Sequence, residues 1–262
     1  MNNFNPHPKI SIITVVFNNK ENLRKTINAV RNLKYDNLEY VVIDGASTDG
    51  TLDIINTNKD IINYFISEKD SGIYDAMNKG LKASTGDYVW FMNSGDIPAD
   101  DEVFNKIFAE VNDADVYYGD TEMVDENGLS YGNRTLKIPP KELSWKKMID
   151  GMLVSHQSMI AKRSLCKEYD INYRFVADID WAIKLLKNST KIVNTNLTLS
   201  KFLIGGYSRQ YTIKSLKERF RMLCTHFNCM HVILNHIKLS FKFTVYIIKR
   251  RKLLQYVKTK TV

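Results

Sequence analysis

Three cysteines in 262 residues, Cys166, Cys224 and Cys229, are too few for a disulfide framework. The opening MNNFNPHPKI has neither a charged start nor an apolar signal core, so the expected location is the cytoplasm. No charge-free apolar run approaches the ~20 residues that a spanning helix needs. Internal repeats and low-complexity linkers are also missing. These absences exclude the disulfide-stapled, membrane-spanning, repeat and disordered classes. What is there is 44% hydrophobic and long enough for one large α/β domain, or one domain with a small appendage.

The net charge of +8 resembles a nucleic-acid signal only until it is divided along the chain. Residues 211–262 carry 12 Lys and Arg against a single acid, Glu218, whereas residues 1–210 carry 25 basic and 28 acidic residues. The basic character therefore belongs to the tail. This divides the chain into a domain over 1–210 and a basic amphipathic tail over 211–262, and it argues against a nucleic-acid partner.

Ile10 to Phe17 is a β-branched apolar run that stops at Asn18-Asn19, the pattern of a buried strand ending in a polar loop. Leu23, Ile27, Val30 and Leu33 follow at helical spacing. A second strand, Leu38 to Ile43, runs into Asp44-Gly-Ala-Ser-Thr-Asp-Gly50, and a helix begins near Thr51. Tyr64 to Ser67, then Asp75 to Ala83, then Tyr88 to Met92 continue the strand–helix–strand order of a parallel sheet. Ligands in such sheets bind outside the carboxyl ends of the strands, so the polar loops should converge on one crevice. Beyond Asp101 the alternation weakens to a helix over Glu102–Val111, a strand over Val116–Tyr118, a hairpin near Glu126-Asn127-Gly128, and helices over Leu143–Met148 and Asp178–Leu186.

Phe91-Met-Asn-Ser-Gly-Asp96 carries an apolar strand into a small-residue turn with a terminal carboxylate. A hard ion such as Mg²⁺ or Mn²⁺ takes one or two such carboxylates plus phosphate oxygens, which makes Asp96 the candidate metal ligand. A plain β-turn is the competing account. Asp44 sits in a Gly, Ser and Thr loop where a carboxylate can accept hydrogen bonds from a ribose or base. Asp75 and Asn78 lie three apart on one helical face. Asp178 and Asp180 open an amphipathic helix, where the macrodipole favours acids; one of them is also the candidate general base.

In this order and spacing the pieces resemble glycosyltransferase family 2 over roughly residues 8–208. They are Ser11–Asn18, Val42–Gly50, Asp70-Ser-Gly-Ile-Tyr-Asp-Ala-Met-Asn-Lys-Gly80, Gly86–Asp96, His156-Gln-Ser and Ala177-Asp178. The resemblance is strongest to enzymes that build O-antigen and capsular polysaccharides. It implies a GT-A fold, a Rossmann-like and mostly parallel sheet flanked by helices, with a C-terminal helical extension. It also implies an inverting transfer of a hexose from a nucleotide diphosphate sugar, expected to be a UDP-hexose, to a lipid-linked acceptor. By the same resemblance Thr14, Val16, Phe17 and Asp44 form the nucleotide floor, and Asp75, Asn78 and Ser94 contribute to the donor site. Asp96 matches the last acid of the Asp-X-Asp metal motif. Asp178 matches the catalytic acid, with Asp180 the weaker alternative, and His156 falls where the acceptor or metal is held. Ser94 and Ala177 depart from the family pattern, leaving one carboxylate each for the metal and the proton.

Leu234, Ile237, Phe241, Val245 and Ile248 follow helical spacing, and Leu239, Phe243 and Ile247 widen the stripe, with Lys249-Arg-Arg-Lys252 behind it. The reading is an interfacial helix meeting anionic lipid, on the inner face of the plasma membrane; the bland alternative is packing on the domain. Cys224, His226, Cys229, His231 and His236 match no common zinc spacing. A nucleotidyltransferase would want a Gly-rich phosphate loop where Phe17-Asn18-Asn19 stands, and a noncatalytic basic binder is at odds with the acidic first 210 residues.

Overall fold

The computed structural model describes residues 7–111, 113–134, 137–204, 212–241 and 244. Strand β1 (Ile10–Val16) is buried along its whole length, as its apolar run requires. Helix α1 (Lys20–Arg31) covers it with Leu23, Ile27 and Val30, and β2 (Leu38–Asp44) pairs with it in parallel from Ile10–Leu38 to Val16–Asp44. Helix α2 (Thr51–Asn56) leads to β3 (Tyr64–Ser67), and α3 (Ile73–Ala83) to β4 (Tyr88–Phe91). Strands β3, β2, β1 and β4 lie side by side and all parallel. The chain reverses its order across the sheet between β1 and β4, the switch point at which α/β sheets open a crevice.

The second half is mixed rather than parallel. A two-residue β5 (Ile97–Pro98) and α4 (Val103–Glu110) precede β6 (Val116–Val124), which extends well past the expected Tyr118 and forms the expected hairpin with β7 (Ser130–Asn133). Strand β8 (Met159–Lys162) is antiparallel to both β4 and β6, so it joins the two halves. Helix α5 (Ala177–Lys187) and β9 (Ile192–Leu203) follow, with β9 parallel to β6 and antiparallel to β5. The strand order is β3-β2-β1-β4-β8-β6-β9-β5, with β7 on β6. Parallel pairing thus runs through the first four strands and returns in the β6–β9 pair, while β5, β7 and β8 pair antiparallel. The expected helix over Leu143–Met148 is a 3-10 turn at Trp145–Asp150.

Two apolar layers sandwich the sheet, because successive strand residues face opposite sides. Ile13, Val15, Val41 and Ile43 face α3 and α5; Ile12, Val16, Tyr40 and Val42 face α1 and α2. Gly80 lets α3 approach closely, since a Cβ there would come within 2.4 Å of the Ile13 side chain. Helix α6 (Thr212–His226) and a further helical stretch over residues 229–241 lie on the first layer. Met222, Leu223 and Val232 are fully buried in the same cluster as Ile13 and Trp181, so the charge boundary at residue 210 does not coincide with a packing boundary. Val245, Ile247, Ile248 and the Lys249–Lys252 run lie outside the described residues, as does Phe243. Among the described residues no helix is long and apolar enough to cross a membrane.

Candidate active site

The crevice at the carboxyl ends of β1, β2 and β4 is built by short loops. Asp44 closes β2 in register with Val16 and Ser67 and is fully buried. Ser67 Oγ donates to its Oδ2 at 2.5 Å and Ser47 N at 3.1 Å, so the carboxylate orders the 45–50 loop. Asn18, in a left-handed conformation (φ 45°), donates its own N–H to Ser47 Oγ at 2.7 Å and accepts Thr48 N on its amide oxygen at 2.8 Å. Phe17, 63% exposed, stands at the rim as a free aromatic face. A Cβ on Gly45 would lie 2.5 Å from Asp70 Oδ2 and 3.2 Å from the Phe17 ring, so the missing side chain is what lets the three meet. Asp70 belongs to the quoted motif, but periodicity offered no reason to single it out.

Several expected contacts are corrected by burial. Thr14 is fully buried; its hydroxyl donates to Met92 O at 2.7 Å and accepts from Tyr40 at 3.1 Å, and Val16 is also in the core. Both side chains support the floor from below. Asn78 is consumed by Tyr169: Nδ2 donates to its carbonyl at 2.9 Å and Oδ1 accepts its N–H at 2.7 Å. It brackets α3 to the chain before α5 rather than lining a ligand site. Asp75 accepts Ser71 N at 3.0 Å and lies 3.6 Å from Lys79, holding the first turn of its own helix.

The turn after β4 is fixed from outside. Thr26 of α1 accepts Gly95 N at 2.9 Å and donates to Asp96 O at 2.9 Å, while Gly95 takes φ +100°. Ser94 lies half-buried beside Asn19. Asp96 is only 4% exposed; Gln157 Nε2 donates to its Oδ2 at 2.8 Å and Leu203 N to its Oδ1 at 3.3 Å. Burial pushes its pKa up to about 6, with the Gln157 bond and the nearby His156 opposing the rise. Gln157 is itself placed by Trp90, whose Nε1 donates to its carbonyl at 2.7 Å.

From this turn a polar chain leads into the second half. Asn93 Nδ2 donates to His156 Nε2 at 3.2 Å, which leaves the ring proton on Nδ1, 3.9 Å from Asp178 Oδ2. Tyr74, in the first turn of α3, donates to Asp178 Oδ1 at 3.4 Å; burial and the facing carboxylate hold its phenol well above the usual range. Asp178 therefore sits at the N-terminal end of α5, half-buried, between a histidine and a tyrosine. Neither Tyr74 nor Gln157 was singled out, because their partners are 104 and 61 residues away.

Asp180 turns the other way. It is 2% exposed and binds His226 Nε2 at 2.6 Å and Lys184 Nζ at 2.6 Å. Burial alone would raise its pKa, but these two partners outweigh it and hold the carboxyl below its ordinary value. Two residues on a helix are about 200° apart, so Asp180 faces α6 and is removed as an alternative base. His226 is thereby engaged by Asp180. Glu218, the tail's single acid, accepts Phe175 N at 2.7 Å and Val176 N at 3.1 Å, capping α5 from α6.

In the orientation of its amide, Asn93 Oδ1 is fully buried without a hydrogen-bond partner among the described residues. With Asp96 three residues on, it offers an oxygen set suited to a hard ion that takes its remaining ligands from phosphates. Among the described residues no group of three or more His, Cys, Asp and Glu could hold a metal alone. The residues fit an ion shared with a ligand.

Residues 11–170 match the family model described as Glycosyl transferase family 2. A Mycobacterium tuberculosis protein described as an uncharacterized glycosyltransferase is 39% identical over 90 residues, covering 34% of this chain and 34% of its own, so the match spans about a third of that relative. The Escherichia coli protein named UDP-Glc:alpha-D-GlcNAc-diphosphoundecaprenol beta-1,3-glucosyltransferase WfaP is 24% identical over 254 residues, covering 87% of this chain and 95% of its own. Staphylococcus aureus TarS 1–349 in complex with UDP superimposes with a TM-score of 0.66 at 19% identity, over 86% of this chain and 68% of its own. Mannosyltransferase PcManGT from Pyrobaculum calidifontis, solved with GDP-Man and Mn²⁺, gives 0.63 at 16% identity over 85% and 66%. The fold is that of the GT-A glycosyltransferases.

Proposed function

The chain belongs to glycosyl transferase family 2, and from that premise we propose that it moves a hexose from a UDP-sugar, with inversion, onto a hydroxyl of a lipid-linked glycan in surface polysaccharide assembly. The observation that carries this reading is the polar chain Asp96–Gln157, Asn93–His156–Asp178, which joins the turn at the switch point to one half-buried carboxylate. The nucleotide lies over β1 and β2, against the Phe17 rim, Asp70 and the Asp44-ordered loop. Asp96 and Asn93 Oδ1 would hold Mg²⁺ or Mn²⁺, an ion that when bound would supply neutralising charge to the departing diphosphate.

Asp178 takes the proton of the acceptor hydroxyl as its oxygen bonds to the anomeric carbon and the bond to the diphosphate breaks. Attack from the face opposite the leaving group inverts the centre. A single base meets this need, so Ala177 in place of a second acid is no obstacle. His156 and Tyr74 hold the carboxylate in place. The WfaP likeness, 24% identical over 95% of that relative, supports the lipid-linked acceptor.

We further propose that the protein works at the cytoplasmic membrane face. The helix over residues 229–241 buries Val232 and Asn235 but leaves Met230, Ile233, Leu234, Ile237 and Phe241 exposed, the last two 62% and 71%. This unpartnered stripe in the basic tail suits an anionic bilayer. Release of the nucleoside diphosphate over a panel of UDP- and GDP-sugars, with and without Mn²⁺, tests the transferase; absence of release from every donor overturns it. Anionic vesicle flotation of wild type and of Ile237→Ser/Phe241→Ser tests the membrane face, and equal flotation of the two removes it.

A further inference from the structure

Arg134 and Lys137 lie within electrostatic reach of Asp178, Arg219 lies within reach of Lys137, and among the described residues none of the three is paired to a carboxylate. Arg134, just past β7, donates from Nη1 to Ser155 Oγ at 2.8 Å and from Nη2 to Met152 O at 2.9 Å. Ser155 immediately precedes His156, so the guanidinium is anchored on the segment that faces Asp178. Arg219 of α6 donates to Asp150 O at 2.9 Å and lies flat against Gly151, where a Cβ would come within 2.7 Å of its Cζ; Gly151, at φ +93°, makes that approach possible. Arg219 Nε is fully buried and has no hydrogen-bond partner among the described residues. Lys137 is half-buried, within electrostatic reach of Arg134, Arg219 and Asp178. Among the described residues none of the three makes an ion pair; Asp178 is met by His156 and Tyr74, and Asp180 by Lys184 and His226. Asp178, Asp120 and Asp150 act on them only at longer range.

Half-buried cations gathered without counter-charge need an anion from outside. Burial and repulsion from the two arginines push the Lys137 amine down to about 8, as expected where that anion is absent. Arg134 and Lys137 both feel the Asp178 carboxylate, and Arg134 is anchored on the residue next to His156. We infer that Arg134 and Lys137, backed by Arg219, form an acceptor-side phosphate site that binds the diphosphate joining the acceptor glycan to its lipid. This rests on the lipid-linked acceptor proposed above. It gives Asp178 a register as well as a substrate: an anion held beside the base sets which hydroxyl of the first sugar reaches it.

The test uses the full chain saturated with UDP and excess Mg²⁺, titrated with undecyl diphosphate, undecanol or inorganic pyrophosphate. Undecyl diphosphate should bind at least tenfold tighter than undecanol. Lys137→Met and Arg134→Gln should each erase that preference, Lys137→Arg should retain most of it, and UDP affinity should stay constant throughout. Equal binding of undecyl diphosphate and undecanol to wild type overturns the site. So does a preference that survives both substitutions, or a loss of UDP affinity in them, which would assign the cations to the donor. Pyrophosphate binding as tightly as undecyl diphosphate would mark a site for the free anion and overturn the acceptor assignment. Failure of the transferase reading is separate, because it shows as no nucleoside diphosphate release from any sugar nucleotide.

Discussion

The two halves of the sheet carry the chemistry in different ways. In the parallel half, β1 to β4, each polar residue follows its strand directly, and the loops meet because parallel strands end on one side. In the mixed half, His156 and Asp178 stand after a 3-10 turn and at a helix start, and they meet only because β8 returns antiparallel between β4 and β6. The first arrangement builds a broad binding floor, while the second aims one carboxylate. Asp178 and Asp180, two residues apart, make the contrast within a single helix: one borders the crevice and the other ties α5 to α6.

The largest expected effect sharpens that contrast. Asp178→Asn should lower turnover about 1000-fold, within the range for loss of a general base, while UDP affinity measured by titration stays near wild type. Normal turnover would remove Asp178 from the mechanism. Asp180→Ala should do the reverse. Leaving Lys184 and His226 beside an empty position should cost about 3 kcal/mol of stability in denaturant unfolding, with turnover per folded molecule preserved. If Asp180→Ala is stable but inactive, the division between the two acids collapses.

The pH dependence of Asp96 probes the hinge between the halves. Its folded pKa of about 6 lies above the ordinary 3.8, so the folded state holds the extra proton between those values. Folding stability without ligands should therefore fall as pH rises through that window. Metal-dependent UDP binding, which needs the ionised carboxylate, should strengthen over the same interval and weaken about tenfold on going from pH 7 to pH 5. Thermal unfolding and UDP titration across pH measure both trends, and Asp96→Asn should flatten both. The smallest effect is at Glu218: Glu218→Gln weakens the cap on α5 and should cost about 1 kcal/mol in stability. A much larger drop in turnover would show that the tail also aims Asp178.

The parallel half was legible because strand period, polar strand ends and loop position are local properties. Asp44 and Asp96 were found at strand ends for that reason. Asn78 was misplaced as a contact, and the side chains of Thr14 and Val16 turn into the core, because a motif shows proximity to a site without showing which way a side chain turns. Tyr74, Gln157 and Asp70 gave no local signal, since their roles come from partners distant in the chain. The tail shows the same limit: its charge separates it from residues 1–210, yet Met222, Leu223 and Glu218 bind it to the domain.

The sequence by itself determined the four-strand parallel core, which follows from apolar periodicity and element order, and it carried the spaced motifs whose resemblance points to the family. Only the tertiary structure decided that Asp178 faces His156 while Asp180 faces His226, and that Arg134 and Lys137, unpaired among the described residues, come within reach of the former. Burial and orientation across distant segments set a carboxylate's partners, and no local pattern encodes them.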